Sequence, residues 1–128
     1  MAYLFILGRV LLGGYFIMSG FNHLKNGKMF TGYAESKGVP MASVAVFLTG
    51  LMLLLGGLGV LLGAYIQLSV LLLAVFLFFV TMQMHQFWKI TDPMQKMNEQ
   101  INFMKNMALL GAVLMLLAIP SPWFAALL

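Results

Sequence analysis

Four long apolar runs constrain this chain more than any other feature. A run of roughly 17 to 25 predominantly apolar residues is long enough for a helix to cross the hydrocarbon core of a bilayer. Such runs occur at about 3–24, 43–62, 66–84 and 103–119. Because the mean hydropathy is +1.00, a soluble core of 128 residues could not cover all of the apolar surface. The sequence therefore predicts one all-α membrane domain, residues 1–128, with four transmembrane helices in an antiparallel bundle.

The connections between the spans differ greatly in length. Only residues 63–65 separate the second and third spans, so these helices are expected to be antiparallel neighbours. In the longer segment 85–102, Met94, Met97 and Ile101 recur on one helical face, which predicts an interfacial amphipathic helix before the fourth span. Asp92 and Pro93 are typical of the first residues of a helix.

Positive charge is concentrated on one side of the predicted bundle. With four spans, both long loops lie on the same side, and six basic residues fall on or near it: Lys25, Lys28, Lys37, Lys89, Lys96 and Lys105. The positive-inside rule then places loops 25–42 and 85–102 in the cytoplasm and both termini outside, in a multi-pass inner-membrane protein. The net charge of +4 is spread thinly around apolar runs, which disfavours binding to nucleic acid.

Polar side chains gather where three spans approach the loop side. The candidates for a ligand or partner site there are Asn22, His23, Thr81, His85, Trp88, Asn102, Lys105 and Asn106. They repeat at helical spacings on the first, third and fourth spans, so each group shares one face. Two interpretations remain open. The group forms a polar site with a ligand or proton-relay role, or it reflects ordinary membrane-interface chemistry.

Other kinds of chemistry are disfavoured by the residues present. The chain has no cysteine, which excludes thiolate and iron–sulfur chemistry by this chain alone. His23 and His85 lack acidic partners in the sequence pattern, so haem ligation is disfavoured and no metal site is predicted. Glu35 and Glu99 lie in separate loops, and no acid–base pair is predicted.

Arg9 lies about two turns into the first span, where an arginine without a partner costs about 2.5 to 3.5 kcal/mol at full depth. Its helical face continues through Gly13, Phe16, Gly20 and His23. No acidic residue lies in any predicted span, so Arg9 is expected to use carbonyls, hydroxyls, an anion or the outer lipid headgroups. Snorkelling to the headgroups and holding an anionic or quinone-like ligand are the two interpretations.

Glycines indicate close helix packing. In the second span Gly59 and Gly63 form a GxxxG pair, and Ser43, Gly50 and Gly57 recur at intervals of seven residues. Small faces of this kind let helices approach closely in a membrane. The predicted packing residues are Gly13, Gly20, Gly50, Gly57, Gly59 and Gly63. Packing inside the bundle and formation of a homo-oligomer both fit this pattern.

The order and spacing of several motifs resemble the DoxX family of small four-helix membrane proteins, over nearly the whole chain. The motifs are GRVLLGGYFIMSGFNHL at 8–24, YAESKGVP at 33–40, LTGLMLLLGGLGVLLG at 48–63, HQFW at 85–88, and NFMKN at 102–106 followed by LLGAVLMLLA. The chain differs from many relatives in carrying His23 where they have lysine and in lacking their glutamate near Leu53. Some relatives also carry an arginine near Gln67.

The resemblance implies a link to respiratory or sulfur oxidoreductases. The family is named for a small subunit of a terminal quinol oxidase, and related members resemble subunits of thiosulfate:quinone oxidoreductase. The resemblance makes a quinone the candidate cofactor and an oxidoreductase on the cytoplasmic side the candidate partner. A similar four-helix fold serves quinone-reactive thiol oxidoreductases, but a chain without cysteine cannot perform their reaction.

Three functions follow as hypotheses for this bilayer protein. The first is a small subunit of an oxidoreductase complex that is not catalytic alone, with the polar helix ends and the amphipathic segment meeting the partner. The second is a small-molecule carrier that uses the polar residues and Arg9, although no span contains an acidic residue or a proline break. The third is a structural homo-oligomeric membrane protein.

Overall fold

The computed structural model describes residues 1–126, and over that part of the chain all regular secondary structure is helical. The elements are α1 (Ala2–Lys25), α2 (Gly27–Ser36), α3 (Ala42–Leu62), α4 (Ile66–Met84), a 3-10 turn (Phe87–Lys89), α5 (Pro93–Met115) and a second 3-10 turn (Leu116–Ala118). Four helical stretches are long and apolar enough to cross a membrane: Ala2–Lys25, Ala42–Leu62, Ile66–Lys89 and Pro93–Ala118. The predicted fold class, an all-α bundle with four spans, is confirmed.

The fourth span begins earlier than its apolar run. α5 continues from Pro93 to Met115 without a break, because residues 94–110 contain neither glycine nor proline. The amphipathic segment is therefore the first part of the same helix rather than a separate one. Asp92 caps this helix as expected, since its Oδ2 accepts a hydrogen bond from the backbone N–H of Gln95 at 2.9 Å. The separate short helix is α2, in the first long loop.

The helices pack in a series, with α1 against α3, α3 against α4, and α4 against α5. α2 lies across the start of α3. Buried apolar side chains between the four long helices form the main core: Phe16, Leu53, Val60, Val70, Leu73, Leu77, Val113 and Trp123. A second, smaller core joins α2 to the loop-side ends of α3 and α4 through Ala34, Ala42, Val46 and Met84. The loop side of the bundle, where α2 lies, is called the loop end below, and the opposite side is called the terminal end.

Glycines set the distance between α1 and α3. A Cβ atom added to Gly13 would lie 2.9 Å from the carbonyl oxygen of Gly57, and one added to Gly20 would lie 2.7 Å from that of Gly50. Backbone atoms cannot move aside as a flexible side chain can, so these positions accept only glycine at this spacing. The backbones of α1 and α3 are therefore in direct contact at two points along their length.

Gly59 packs against α4, whereas Gly63 ends α3 beside Arg9 of α1, where an added Cβ would lie 3.0 Å from Nη2. A Cβ atom on Gly59 would overlap the side chain of Ser69 in α4. Gly63 ends α3 with φ of 71°, in the left-handed region that favours glycine. Gly56, which the sequence pattern did not single out, faces Leu73 of α4, where an added Cβ would lie 2.6 Å from Leu73 Cγ.

Arg9 closes the terminal end of the bundle. Its side chain is almost wholly buried, at 5% exposure. Nε donates to the carbonyl oxygen of Val60 at 3.4 Å, and Nη2 donates to that of Leu61 at 2.9 Å. These carbonyls belong to the last turn of α3, which has no further helical N–H groups to accept from and carries the negative end of the helix dipole.

The same guanidinium also holds the chain after α5. Nη1 donates to the carbonyl oxygen of Phe124, and Nη2 donates to that of Ala125 at 3.3 Å. The rings of Phe5 and Trp123 lie 5.5 and 5.7 Å from the Arg9 guanidinium carbon, at cation–π distance. Of the partners expected for Arg9, the structure shows backbone carbonyls. The interpretation that Arg9 snorkels to the lipid headgroups was wrong, because its guanidinium is buried among protein groups.

We expect Arg9→Leu to destabilise the protein strongly. The substitution would leave the carbonyls of Val60 and Leu61 buried without a donor, at about 1 to 3 kcal/mol for each group. The midpoint of thermal unfolding in detergent, followed by tryptophan fluorescence, should fall by about 5 °C or more. The unfolding midpoint of Arg9→Lys should lie between those of the wild type and Arg9→Leu, because one ammonium cannot reach all four carbonyls.

Lys25→Leu is the matched control, since Lys25 is exposed at the other end of α1. That variant should unfold close to the wild-type temperature. Equal midpoints for Arg9→Leu and Lys25→Leu would show that the carbonyl contacts contribute little to stability.

Candidate functional site

A cavity of about 620 Å³ lies at the loop end, enclosed by α1, α2, α3, α4 and α5. Most of its wall is apolar, and it includes the aromatic rings of Phe16, Phe30 and Phe76. Nine side chains that carry polar or basic groups interrupt this wall: Tyr15, Ser19, His23, Tyr33, Thr49, Gln83, His85, Lys105 and Asn106. A mostly apolar cavity with a few polar groups is typical of a small-molecule site.

The cavity reaches the outer surface of the bundle. Tyr15 on α1 and Phe79 on α4 both line it, and they are 41% and 64% exposed. Lys105 on α5 also lines it and is exposed, with its Nζ atom 5.9 Å from the centre of the Tyr15 ring. Because these side chains lie on helices of membrane-spanning length, a ligand dissolved in the lipid could enter between them.

His23 is held rigidly in the cavity wall. Its Nδ1 lies 2.8 Å from the carbonyl oxygen of Ser19, one helical turn earlier. Its ring stacks on Phe30 with 4.6 Å between the ring centres and meets Phe76 edge to face at 5.9 Å. The contact with Phe30 joins α1 to α2 over the cavity. His23 therefore has a fixed orientation and one ring nitrogen bound.

His85 is bound to an acid. Its Nδ1 lies 3.0 Å from Oε2 of Glu99, and the same oxygen is 3.7 Å from Nζ of Lys37. Oε1 of Glu99 accepts from the hydroxyl of Tyr33 at 3.2 Å and from the amide of Asn102 at 3.5 Å. These five residues, called the Glu99 cluster below, tie α2 and the following turn to the end of α4 and to α5.

The position of Tyr33 in the Glu99 cluster also raises the pKa of its hydroxyl group. Burial, together with the nearby negative charge of Glu99, raises the pKa of Tyr33 to about 12. The phenol therefore stays protonated throughout the physiological range and keeps donating to the carboxylate. Gln83 adds a further tie, since its amide donates to the carbonyl oxygen of Lys37 at 2.9 Å.

The structure brings four of the predicted candidates to the cavity wall and leaves five away from it. His23, His85, Lys105 and Asn106 line the cavity. Arg9 lies at the terminal end, and Asn102 belongs to the Glu99 cluster. Asn22 and Trp88 are exposed, and Trp88 packs on Phe103 with 5.8 Å between ring centres. Thr81 is fully buried without a hydrogen-bond partner among residues 1–126.

Glu99 is the important residue that the sequence pattern missed. The expectation that His85 lacks an acidic partner was wrong. Glu99 precedes Asn102 and Asn106 by three and seven residues, so all three share a helical face. That spacing was a usable signal, but it was hidden because Glu99 was assigned to a loop rather than to the fourth helix. The sequence pattern also missed Tyr33 and Lys37, which are four residues apart, because it gave no bounds for a helix in the first long loop.

Taken together, these groups can bind a flat ligand between aromatic side chains and exchange hydrogen bonds with it. The carboxylate of Glu99 binds Nδ1 of His85 and so fixes the orientation of the ring. Within residues 1–126, no three His, Asp or Glu side chains come close enough together to hold a metal ion. Gly50 and Gly57 bring α3 against α1 and so fix the distance across one wall.

Comparison with known proteins gives one clear result. A protein-family model described as DoxX matches residues 4–86, which cover α1 to α4 and include His23 and His85. The matched region is more than half of the chain and ends before α5, so Glu99, Lys105 and Asn106 lie beyond it. No curated protein and no solved structure matches the chain.

We expect Glu99→Ala to loosen α2. The substitution removes the acceptor shared by Tyr33, Lys37 and His85, and a hydrogen bond to a charged group contributes about 1.5 to 3 kcal/mol. Backbone amides of residues 27–36 should then exchange with deuterium about tenfold faster or more. Hydrogen–deuterium exchange with peptide mass spectrometry in detergent would measure this.

Glu35→Ala provides the control for this experiment, because Glu35 is exposed on α2 and lies outside the Glu99 cluster. Its exchange should match that of the wild type. The same exchange in the Glu99→Ala and wild-type proteins would show that α2 is held by its apolar contacts alone.

Proposed function

The chain belongs to the DoxX family of membrane proteins, and on that premise we propose that it is a small membrane subunit or partner of a quinone-linked respiratory or sulfur oxidoreductase complex. Family membership alone does not give a function, which has to be argued from a site. The observation that carries the proposal is the cavity of about 620 Å³ at the loop end. In this proposal the cavity holds the head group of a quinone.

The cavity suits a quinone in size and in the character of its wall. Its volume lies within the roughly 300 to 1,000 Å³ of small-molecule sites. Phe30 and Phe76 offer aromatic surface for a flat ring, and the openings beside Tyr15 and Phe79 suit a ligand that arrives through the lipid. A long apolar quinone tail could remain in the bilayer while the head group enters.

The residues that would hold the head group are those whose polar atoms line the cavity. His23 lines the cavity from α1, His85 lines it from the end of α4, and Asn106 adds an amide from α5. A bound quinone would supply two-electron, two-proton redox chemistry. The protein's own residues would bind and orient the ring and exchange hydrogen bonds at its two oxygens.

A partner protein completes the proposal, because the chain contains no cysteine for redox chemistry of its own. The loop end offers a surface for a cytoplasmic partner. Met94, Met97, Ile101 and Met104 are each more than half exposed along the first part of α5, beside the exposed Lys89 and Lys96. Exposed methionines adapt readily to a partner surface, and lysines at the rim favour an acidic one.

A small-molecule carrier is the second candidate, and one observation favours it. The sequence pattern placed no acidic residue in a span, but Glu99 lies in the same helix as the fourth span and is bound to His85 at the cavity wall. Acidic residues and histidines within spans are the groups from which proton-coupled carriers build their relays. Flux of labelled solute into sealed vesicles would distinguish the carrier from the subunit.

For the membrane orientation, we expect a reporter fused to the C-terminus to be active outside the cytoplasm. Lys28, Lys37, Lys89 and Lys96 all lie at the loop end, and the positive-inside rule places that end in the cytoplasm. An alkaline phosphatase fusion should be active, and a green fluorescent protein fusion should be dark. The opposite pair of results would place the termini in the cytoplasm and the partner surface outside.

For the ligand and the partner, we expect protein purified in mild detergent from native membranes to retain both. Native mass spectrometry should detect a bound quinone and an oxidoreductase protein in a fixed ratio. Ser19→Leu adds bulk to the cavity wall and should lower quinone retention about tenfold or more, since overfilling a packed site costs about 1 to 3 kcal/mol.

Gly8→Leu is the matched control, because Gly8 is on the same helix and a Cβ atom there meets open space. It should retain quinone like the wild type. A wild-type protein that carries phospholipid alone and no partner would overturn the proposal, and equal quinone retention in Ser19→Leu would place the quinone elsewhere.

A further inference from the structure

The two cavity histidines share one feature: in both rings Nδ1 is bound to a fixed acceptor. His23 has the carbonyl oxygen of Ser19 at 2.8 Å, and His85 has Oε2 of Glu99 at 3.0 Å. Nε2 of either ring makes no hydrogen bond with residues 1–126, although both rings line the cavity. Whether Nε2 of each ring is a donor or an acceptor therefore depends on whether the partner of Nδ1 needs a proton from the ring.

In His23 the carbonyl partner decides the tautomer. A backbone carbonyl can only accept a hydrogen bond, so Nδ1 must carry the proton. In the neutral ring Nε2 is then a lone-pair acceptor. Stacking on Phe30 and the edge contact with Phe76 hold the ring in this orientation, so the acceptor stays beside the cavity.

In His85 the carboxylate decides the tautomer in the same way. Tyr33, Asn102 and Lys37 all present donors to Glu99, which keeps its oxygens as acceptors. Nδ1 of His85 therefore donates to Oε2, and Nε2 of the neutral ring is again an acceptor. The cavity is consequently lined by two acceptors on different helices, each fixed from behind.

We propose that Nε2 of His23 and of His85 select a ligand head group with hydroxyl donors, so that the cavity binds a hydroquinone in preference to the corresponding quinone. This inference rests on the proposed quinone site and names the form that it holds. A hydroquinone presents two O–H donors on opposite sides of a flat ring, whereas a quinone presents two carbonyl acceptors that would face lone pairs. Opposing acceptors lose both hydrogen bonds and also repel each other.

The other polar groups of the wall do not reverse this preference. The hydroxyl of Thr49 already donates to the carbonyl oxygen of Ala45 at 2.7 Å, and the amide of Gln83 donates to that of Lys37 at 2.9 Å. The amide of Asn106 offers both a donor and an acceptor, and so does the hydroxyl of Ser19. Lys105 is a donor but lies at the exposed edge of the cavity. The hydroxyl of Tyr33 already donates to Glu99, and that of Tyr15 offers both a donor and an acceptor. The histidines are therefore the groups that present a fixed acceptor to the cavity.

The test compares three probes of nearly the same shape on the purified wild-type protein: trimethylhydroquinone, trimethylbenzoquinone and the dimethyl ether of the hydroquinone. Binding is measured by calorimetry in nanodiscs without oxygen, at about pH 8. The hydroquinone should bind about tenfold more tightly than the other two, as expected for one or two hydrogen bonds of about 0.5 to 1.5 kcal/mol.

His23→Phe and His85→Phe keep an aromatic ring and remove Nε2. Each should lower hydroquinone affinity toward that of the dimethyl ether and leave quinone affinity nearly unchanged. Gln86→Leu is the control, because Gln86 is next to His85 but its amide is bound to the carbonyl oxygen of Met82. It should keep the wild-type preference for the hydroquinone.

The outcomes separate this inference from the proposed function. Equal affinities for hydroquinone and quinone in the wild type, or tighter binding of the quinone, would overturn the inference and leave a quinone-type site in place. Failure of all three probes to bind would overturn both. A preference that survives both histidine substitutions would also overturn the inference, since it would assign the selectivity to other groups.

Discussion

The guanidinium of Arg9 is the interaction on which the terminal end of this bundle depends. α3 ends at a left-handed glycine, and its last carbonyls would otherwise be buried without donors. Arg9 reaches Val60 and Leu61 in that last turn and also Phe124 and Ala125 in the chain after α5. One side chain of α1 therefore joins the hairpin and the C-terminal segment. Because its partners are carbonyl dipoles, the positive charge is compensated without an acidic residue.

Close packing of α1 against α3 continues from Arg9 along the length of the bundle. Gly13 with Gly57 and Gly20 with Gly50 bring the two backbones together, so these helices form a rigid pair. At the loop end, aromatic and polar side chains surround a cavity instead of filling the space. Close packing of α1 on α3 beside this cavity suits the proposed ligand from the lipid. The glycines are thus used inside the bundle, where larger residues would force α1 and α3 apart.

The Glu99 cluster links the cavity to the water-facing surface. α2 carries few buried side chains of its own, and Tyr33 and Lys37 attach it to the carboxylate that also binds His85. A change at the ligand end of His85 would therefore reach α2 and, through Glu99 itself, the first part of α5, where we propose that a partner docks. The shared carboxylate gives a physical route between ligand and partner surface, through one hydrogen-bonded group rather than through the apolar core.

The four spans, the tight hairpin at residues 63–65 and the Asp92 cap could be predicted without a structure, because hydrophobic length and local turn chemistry are properties of neighbouring residues. The sequence also marked Arg9, His23 and His85 as unusual. The contacts of these side chains depend on how the helices pack. Glu99 meets His85 because α5 begins at Pro93, and Arg9 meets the end of α3 because glycines allow the close approach. Such contacts join residues far apart in the chain, and periodicity within one segment carries no information about them.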